Sequence, residues 1–250
     1  MKSSSLAATT TALLSFSFTL LALATIPVIA NSKSRIENNA VPNCNAYIAT
    51  KGSSEKPVTD INGNAVNTSM DYYVIPANAN GDVGRSGGYG GISLITGRHR
   101  NGLMDVILHP NISNHGIKIR FSQAGYSSDN IVMQWSDLNF IFSALPGKPS
   151  WSVDNYDKSL TQWFITDGGV EGNPGGHTLL DWFKFESDGG NTYRIIHCPS
   201  VCSTCGTLCN HIGLSPDAVC LQHLAVLPNN LPALSVEIVP AAAPSPPCVC

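Results

Sequence analysis

A chain of 250 residues with a formal charge of −3 and only 12% charged residues has neither the basic face of a nucleic-acid binder nor an acidic tail. Its 22 glycines and 16 prolines are scattered along the sequence, which predicts many turns and few long helices. Lys2, the apolar run Ala12–Ala24, and Val28 and Ala30 at the −3 and −1 positions form the pattern of a cleavable secretory signal over residues 1–30. That run is short for a bilayer span, and no later segment is apolar enough to make one, so neither a membrane nor a nucleic acid is an expected partner.

Residues 31–54 are polar and irregular and read as a flexible arm, and residues 55–239 as one domain. At its start, Asp60 and Gly63 set a turn, since the carboxylate can accept from backbone amides and glycine tolerates a positive φ. Short strand-like runs then follow one another between Gly, Asn and Asp turns. They are Tyr72–Pro76, Gly91–Ile95, Met104–Leu108, Gly116–Phe121, Ile131–Trp135 and Leu138–Phe142, then Gln162–Ile165, Trp182–Phe185, Tyr193–His197, Leu221–Val226 and Ser235–Val239. Several alternate apolar with polar, the period of a half-buried strand. No window of helical length carries an apolar stripe free of glycine or proline. An all-β fold, barrel or sandwich, is predicted. The aromatic-led strands DYYVIP, QWFITD, DWFKFE and NTYRII suggest internal pseudo-repeats, although aromatics filling a β core would give the same recurrence. Residues 240–250, PAAAPSPPCVC, read as an extended proline-rich tail.

Chemistry-bearing residues are few. Asn67-Thr68-Ser69 and Asn111-Ile112-Ser113 are glycosylation sequons, and Arg98-His99-Arg100 reads as a solvated basic loop. The chain holds eight cysteines, which in an exported protein belong to disulfides. Four crowd into CPSVCSTCGTLC: Cys198, Cys202, Cys205 and Cys209. Cys202-x-x-Cys205 with His197 and His211 has zinc-like ligands, but an oxidising compartment favours pairing and no second ligand hairpin follows. No metal is expected. Nor does a βαβ pattern surround the pair, so thioredoxin-like chemistry is not expected. Cys248 and Cys250, one residue apart, would strain a ring between them; they are expected to meet Cys44 and Cys220, or to be lost if the tail is processed. There is no G-x-S-x-G elbow. The histidines (His99, His109, His115, His177, His197, His211, His223) lack i,i+4 metal spacing. GGVEGNPGGH (Gly168 to His177) has no phosphate-loop lysine and reads as a long hairpin loop. Neither catalysis nor a cofactor is expected.

The spacing Val58-x-Asp60-x-x-Gly63-x-x-Val66-x5-Tyr72-x-Val74 resembles the N-terminal signature of the plant Kunitz-type protease inhibitors, the soybean trypsin inhibitor family that includes miraculin-like proteins. Colinear matches follow in Gly90-Gly91-Ile92-x-Leu94, GIKIRFS (Gly116 to Ser122), WSDLNFIFSA (Trp135 to Ala144), SWSV, DWFKFE and the Cys-Pro segment Tyr193 to Gly213. The resemblance implies a β-trefoil of twelve strands in three pseudo-repeats. It also implies a secreted, monomeric inhibitor of peptidases, serine type first and cysteine or carboxypeptidase type as alternatives, destined for the extracellular space or apoplast, or else the vacuole. A loop between GIKIRFS and WSDLNFIFSA would dock like a substrate, with Gly125, Tyr126, Ser127, Ser128, Asp129 and Asn130 as its contacts.

Two departures shape that expectation. The loop holds no lysine or arginine, whereas trypsin-like enzymes bind a basic P1 side chain against a carboxylate; strong trypsin inhibition is not expected. Lys148, in LPGKPSW, and Lys158 are alternative contacts. The family's second disulfide maps onto Cys198 and Cys209, which leaves Cys202 and Cys205 to pair within that loop. Its first disulfide is absent at both ends, at Gly102-Leu103 and at Ser143 to Leu145, a loss of about 2–4 kcal/mol against a bridged relative. A non-inhibitory module for a carbohydrate or protein partner, and an amylase inhibitor, are the rival readings.

Overall fold

The computed structural model describes residues 56–77, 88–96, 98, 102–125 and 129–241. The signal, the arm with Cys44, the loop residues Tyr126, Ser127 and Ser128, His99 and Arg100, and Cys248 and Cys250 lie outside them. Period-2 patterning holds in Tyr72–Pro76 (β1), where Tyr72, Val74 and Pro76 are buried and the residues between them half-buried. Eleven further strands follow among the described residues: β2 (Ile92–Ile95), β3 (Asp105–Leu108), β4 (Ile119–Gln123), β5 (Leu138–Phe142), β6 (Ser150–Val153) and β7 (Trp163–Gly169), then β8 (Lys184–Gly189), β9 (Thr192–His197), β10 (Asn210–Pro216), β11 (Gln222–Val226) and β12 (Ser235–Pro240). Among the described residues the one helix is a 3-10 turn, Gly176–Asp181. None of it is long and apolar enough to cross a membrane.

All pairings are antiparallel, and they run in the order β10-β11-β3-β7-β6-β5-β4-β1-β12-β9. Because β10 also pairs β9, at Asn210↔His197, this circuit closes on itself, with β2 hung on β3 and β8 on β9. Closure leaves the ten strands of the ring without an open edge that would template aggregation. The ends of the domain meet in it: Tyr72 of β1 lies opposite Pro240 of β12.

The predicted strand Ile131–Trp135 is not one. Only Ile131 and Met133 make isolated bridges, to Asn67 and Pro57, and Trp135 has a left-handed φ of 67° that no strand accommodates. β8 starts at Lys184 rather than Trp182, because Trp182 terminates the 3-10 turn. β6 and β10 are missing from the periodic series, since a four-residue run and NHIGLSP, with its glycine and proline, carry no clear alternation.

The core is aromatic. Phe140 of β5 lies at ring-centroid distances of 5.0 Å from Phe121, 4.8 Å from Trp151, 5.7 Å from Phe183 and 5.1 Å from Phe185, within the range where aromatic pairs attract. Every residue of β5 is buried, including Asn139. Its amide donates to the Asp181 carbonyl (2.9 Å) and its Oδ1 accepts from Gly172 N (2.8 Å), so the one polar residue on this strand is satisfied by the β7–β8 connection.

Arg98 corrects the reading of a solvated basic loop. Its guanidinium clamps Asp105 with two bonds of 2.9 and 2.7 Å, reaches Asp157 at 3.1 Å, and lies 4.0 Å above the Phe164 ring. Burial alone would lower its pKa, but the bonds and charges of Asp105, Asp154 and Asp157 raise it. The guanidinium ties the end of β2 to β3 and to the β6–β7 connection.

Candidate functional site

β4 and β5 pair from Ile119↔Phe142 to Gln123↔Leu138, and a last bond from Ala124 N to the Asp137 carbonyl (3.0 Å) closes the neck of the loop between them. Gly125, Asp129 and Asn130 are exposed at its far end. The returning limb lies against the N-terminal segment. Thr68 N donates to the Asn130 carbonyl and Val58 N to the Val132 carbonyl, both at 2.8 Å; Val132 N donates to Val66 O and Gln134 N to Lys56 O, both at 2.9 Å. Val132 itself is fully buried, and Gln123 Nε2 donates across the loop to the Ile131 carbonyl at 2.5 Å. The Asp60 turn of the opening signature is what shapes that supporting segment: its Oδ1 accepts from Asn62 N (2.8 Å) and Asn64 N (3.0 Å), and Gly63 has a φ of 81°.

The base of the loop is charged. Asp137 accepts from Ser200 N (3.1 Å) and Ser200 Oγ (2.5 Å), and Lys184 Nζ lies 3.4 Å from Asp137 and 2.9 Å from Ser200 Oγ. These partners come from β8 and the β9–β10 connection, so residues far apart in the chain grip the loop at its neck. Asn130 has a φ of 53°, a left-handed turn that ends any extended, substrate-like stretch before it.

Lys148 is exposed at a left-handed φ of 47° in the β5–β6 turn, which is closed by Phe142 N bonding the Pro149 carbonyl at 2.9 Å. That turn is at the opposite end of β5 from the candidate loop. Lys158 is exposed in the β6–β7 connection, beside Asp157. There Ser159 Oγ (2.6 Å), Leu160 N (3.1 Å) and Ser159 N (2.9 Å) donate to the carboxylate and hold its pKa at about 2. The structure therefore brings neither lysine into the braced loop.

Of the sequons, Asn111 is exposed between β3 and β4, its Oδ1 accepting from Ser113 N at 2.9 Å. Asn67 is half-buried beside the loop, its Oδ1 accepting from Ser69 N and Oγ at 2.8 and 2.6 Å. Disulfides join Cys198 to Cys209 and Cys202 to Cys205. Cys220, expected in a disulfide, has a free exposed thiol in the β10–β11 turn; the cysteines it was expected to meet lie outside the described residues. The two flanking histidines face elsewhere: His197 Nδ1 donates to the buried Trp182 carbonyl (3.1 Å), and His211 bonds Glu186 (2.9 Å). Both are engaged away from the cysteine sulfurs.

Sequence reasoning missed the bracing by Val58, Thr68, Asp137 and Ser200, because contacts between residues so far apart in the chain leave no local pattern. It also missed a cleft of about 500 Å³ lined by Arg98, Asp105, Leu160, Phe164, Asp217 and His223.

The family of Kunitz (legume) trypsin and protease inhibitors matches residues 58–237. The chain is 32% identical over 176 residues to the 21 kDa seed protein of Theobroma cacao, spanning 68% of this chain and 76% of that one. To Kunitz trypsin inhibitor 5 of Arabidopsis thaliana it is 33% identical over 168 residues, 66% of this chain and 78% of the relative. A Kunitz-type cysteine protease inhibitor from potato shares the fold, with a TM-score of 0.60 at 22% identity over 76% of this chain and all of that one (100%). With its Asp60 turn, its braced β4–β5 loop and a family match over most of its length, the chain belongs to the Kunitz family of trypsin and protease inhibitors.

Proposed function

We propose that the protein is a secreted, monomeric β-trefoil of three pseudo-repeats that inhibits a peptidase with its β4–β5 loop and catalyses nothing itself. The bond from Thr68 N to the Asn130 carbonyl, with the bridge between Asn67 and Ile131 beside it, carries this reading. A loop already tied on its returning limb and clamped at Asp137 loses little ordering entropy when it docks, and that is what converts contact area into affinity. The described contacts Gly125, Asp129 and Asn130 offer no cation to the carboxylate of a trypsin-like pocket, which favours a serine peptidase of another specificity. Papain-like and carboxypeptidase-type enzymes are the alternative targets.

The purified protein is expected to inhibit a chymotrypsin- or subtilisin-like peptidase in a dose-dependent way, and trypsin far more weakly. An Asp129→Lys variant is expected to weaken that inhibition, with its thermal midpoint measured alongside to separate a lost contact from a lost fold. Silence across serine, cysteine and carboxypeptidase assays would refute the inhibitor reading, and inhibition of an amylase in the same panel would replace it. Secretion to the apoplast or vacuole rests on the N-terminal pattern, and N-terminal sequencing of the exported protein, expected to start at Asn31, checks it. The exposed position of Asn111 supports glycosylation there more than at half-buried Asn67, and occupancy of either is read as a mass shift on enzymatic deglycosylation.

A further inference from the structure

The β9–β10 connection holds more covalent reinforcement than its own folding requires. β9 and β10 already pair at Asn210↔His197 and His211↔Ile196, so the hairpin is closed by backbone bonds before Cys198–Cys209 is counted. Inside that outer bridge, Cys202–Cys205 closes a second ring with a sequence separation of only 3. Crosslinking so short a segment removes little chain entropy from the unfolded state; what it fixes is the local shape of Ser203 and Thr204. Both are exposed, as are Gly206 and Thr207. The ring is also buttressed from outside. Gly176 of the 3-10 turn packs so closely that a Cβ there would sit 3.2 Å from Cys205 Sγ. Ser200, at the foot of the segment, is held by Asp137 and Lys184.

Asp137 links this rigid tip to the inhibitory loop. Its backbone carbonyl closes the neck of that loop onto Ala124, and its carboxylate holds Ser200. The two loops are therefore tied together at their bases through Asp137 and Ser200. A standard protein interface takes about 800 Å² and roughly 20–30 residues from each partner, more than Ala124–Asp137 supplies alone. A neighbouring surface must enter, and an ordered one costs least to dock.

Resting on the reading of the β4–β5 loop given above, we propose that the cysteine loop is a second contact element for the same peptidase, with Ser203 and Thr204 touching the rim of its cleft. An uncharged tip with two hydroxyls fits a rim that offers backbone amides and carbonyls rather than a charged pocket.

Three variants test this against whichever peptidase the wild type inhibits. Thr204→Arg puts a bulky charge on the tip. Cys202→Ser/Cys205→Ser releases the inner ring while leaving the outer bridge and strand pairing in place. Val219→Arg is the control, because Val219 is 74% exposed in the turn at the far end of β10. Thr204→Arg is expected to raise the inhibition constant by about ten-fold or more. The double serine variant is expected to raise it chiefly through faster dissociation. Both should melt close to the wild type, and the control should inhibit like it. Normal inhibition by Thr204→Arg and by the double serine variant, with the wild type active, overturns the second contact and leaves the first loop standing. A wild type that inhibits nothing overturns both.

Discussion

His197 shows how one position couples burial to pH. It is fully buried, with Nδ1 donating to the Trp182 carbonyl and no partner for Nε2 among the described residues. Burial pushes its pKa down from 6.5 to about 4, an effect that the Trp182 bond and the Asp137 charge only partly offset. The folded state thus binds its proton less readily than the unfolded chain. As pH falls from 6.5 towards 4 the unfolded state takes up a proton first, and stability is lost across that window; above 6.5 this group has no effect. The loss amounts to about 3 kcal/mol, because each tenfold drop in proton affinity is worth about 1.36 kcal/mol. Urea unfolding at pH 7 and pH 4.5 is expected to show it, and His197→Phe is expected to flatten the difference. An equal loss in the two proteins would exclude His197 as the cause. The sequence named His197 only as a possible zinc neighbour of the cysteines; its burial follows from the strand it ends.

Among the elements, β2 is short and depends on its neighbours. Ile117 N donates to the Ile92 carbonyl at 2.8 Å, and Gly116 has a φ of 83° at a place where an added Cβ would overlap that same carbonyl oxygen. An alanine there meets both a left-handed backbone and an overlap with the Ile92 oxygen, so Gly116→Ala is expected to cost about 2 kcal/mol or more, read as a lowered denaturation midpoint. Gly102→Ala makes the comparison: its φ of 86° is similar but nothing lies within 4 Å of an added Cβ, so the strain of the backbone alone is left. Equal losses at the two sites would show that contact with β2 contributes nothing. The sequence marked Gly116 only as the start of a strand, whereas β4 begins at Ile119. The chain first needs the left-handed residue to turn onto β2.

At the scale of the whole molecule, Phe140 joins the strands into one core. Its ring meets side chains from β4, β6, β8 and the lead-in to β8, so truncation opens a cavity with no single neighbour able to fill it. Phe140→Ala is expected to cost about 3–5 kcal/mol and to lower the chemical and thermal midpoints together. A loss below about 1 kcal/mol would mean that the aromatic cluster repacks. The β4–β5 loop, proposed above as the contact, leads into β5, the strand that carries Phe140, so a loosened core is also expected to weaken inhibition in proportion to lost rigidity.

Local chemistry was legible along the chain. Tyr72–Pro76 and Leu138–Phe142 have the same bounds by pattern and in space, because alternating or continuous branched and aromatic residues suit only a pleated, buried ladder. The Asp60–Gly63 turn and the cysteine-rich segment were visible for the same reason: each is built from residues close in sequence. What the chain could not spell out was which distant segments meet. Ile131–Trp135 has strand-like residues but became the braced limb of a loop, since Val58, Val66 and Lys56 took its hydrogen bonds. Arg98 reads as solvated until Asp105, Asp154 and Asp157 converge on it. Asp137 acquires its part only when Ser200, 63 residues away, folds against it. Periodicity records a residue's own face; partners are chosen by closure of the ring, and that happens only in three dimensions.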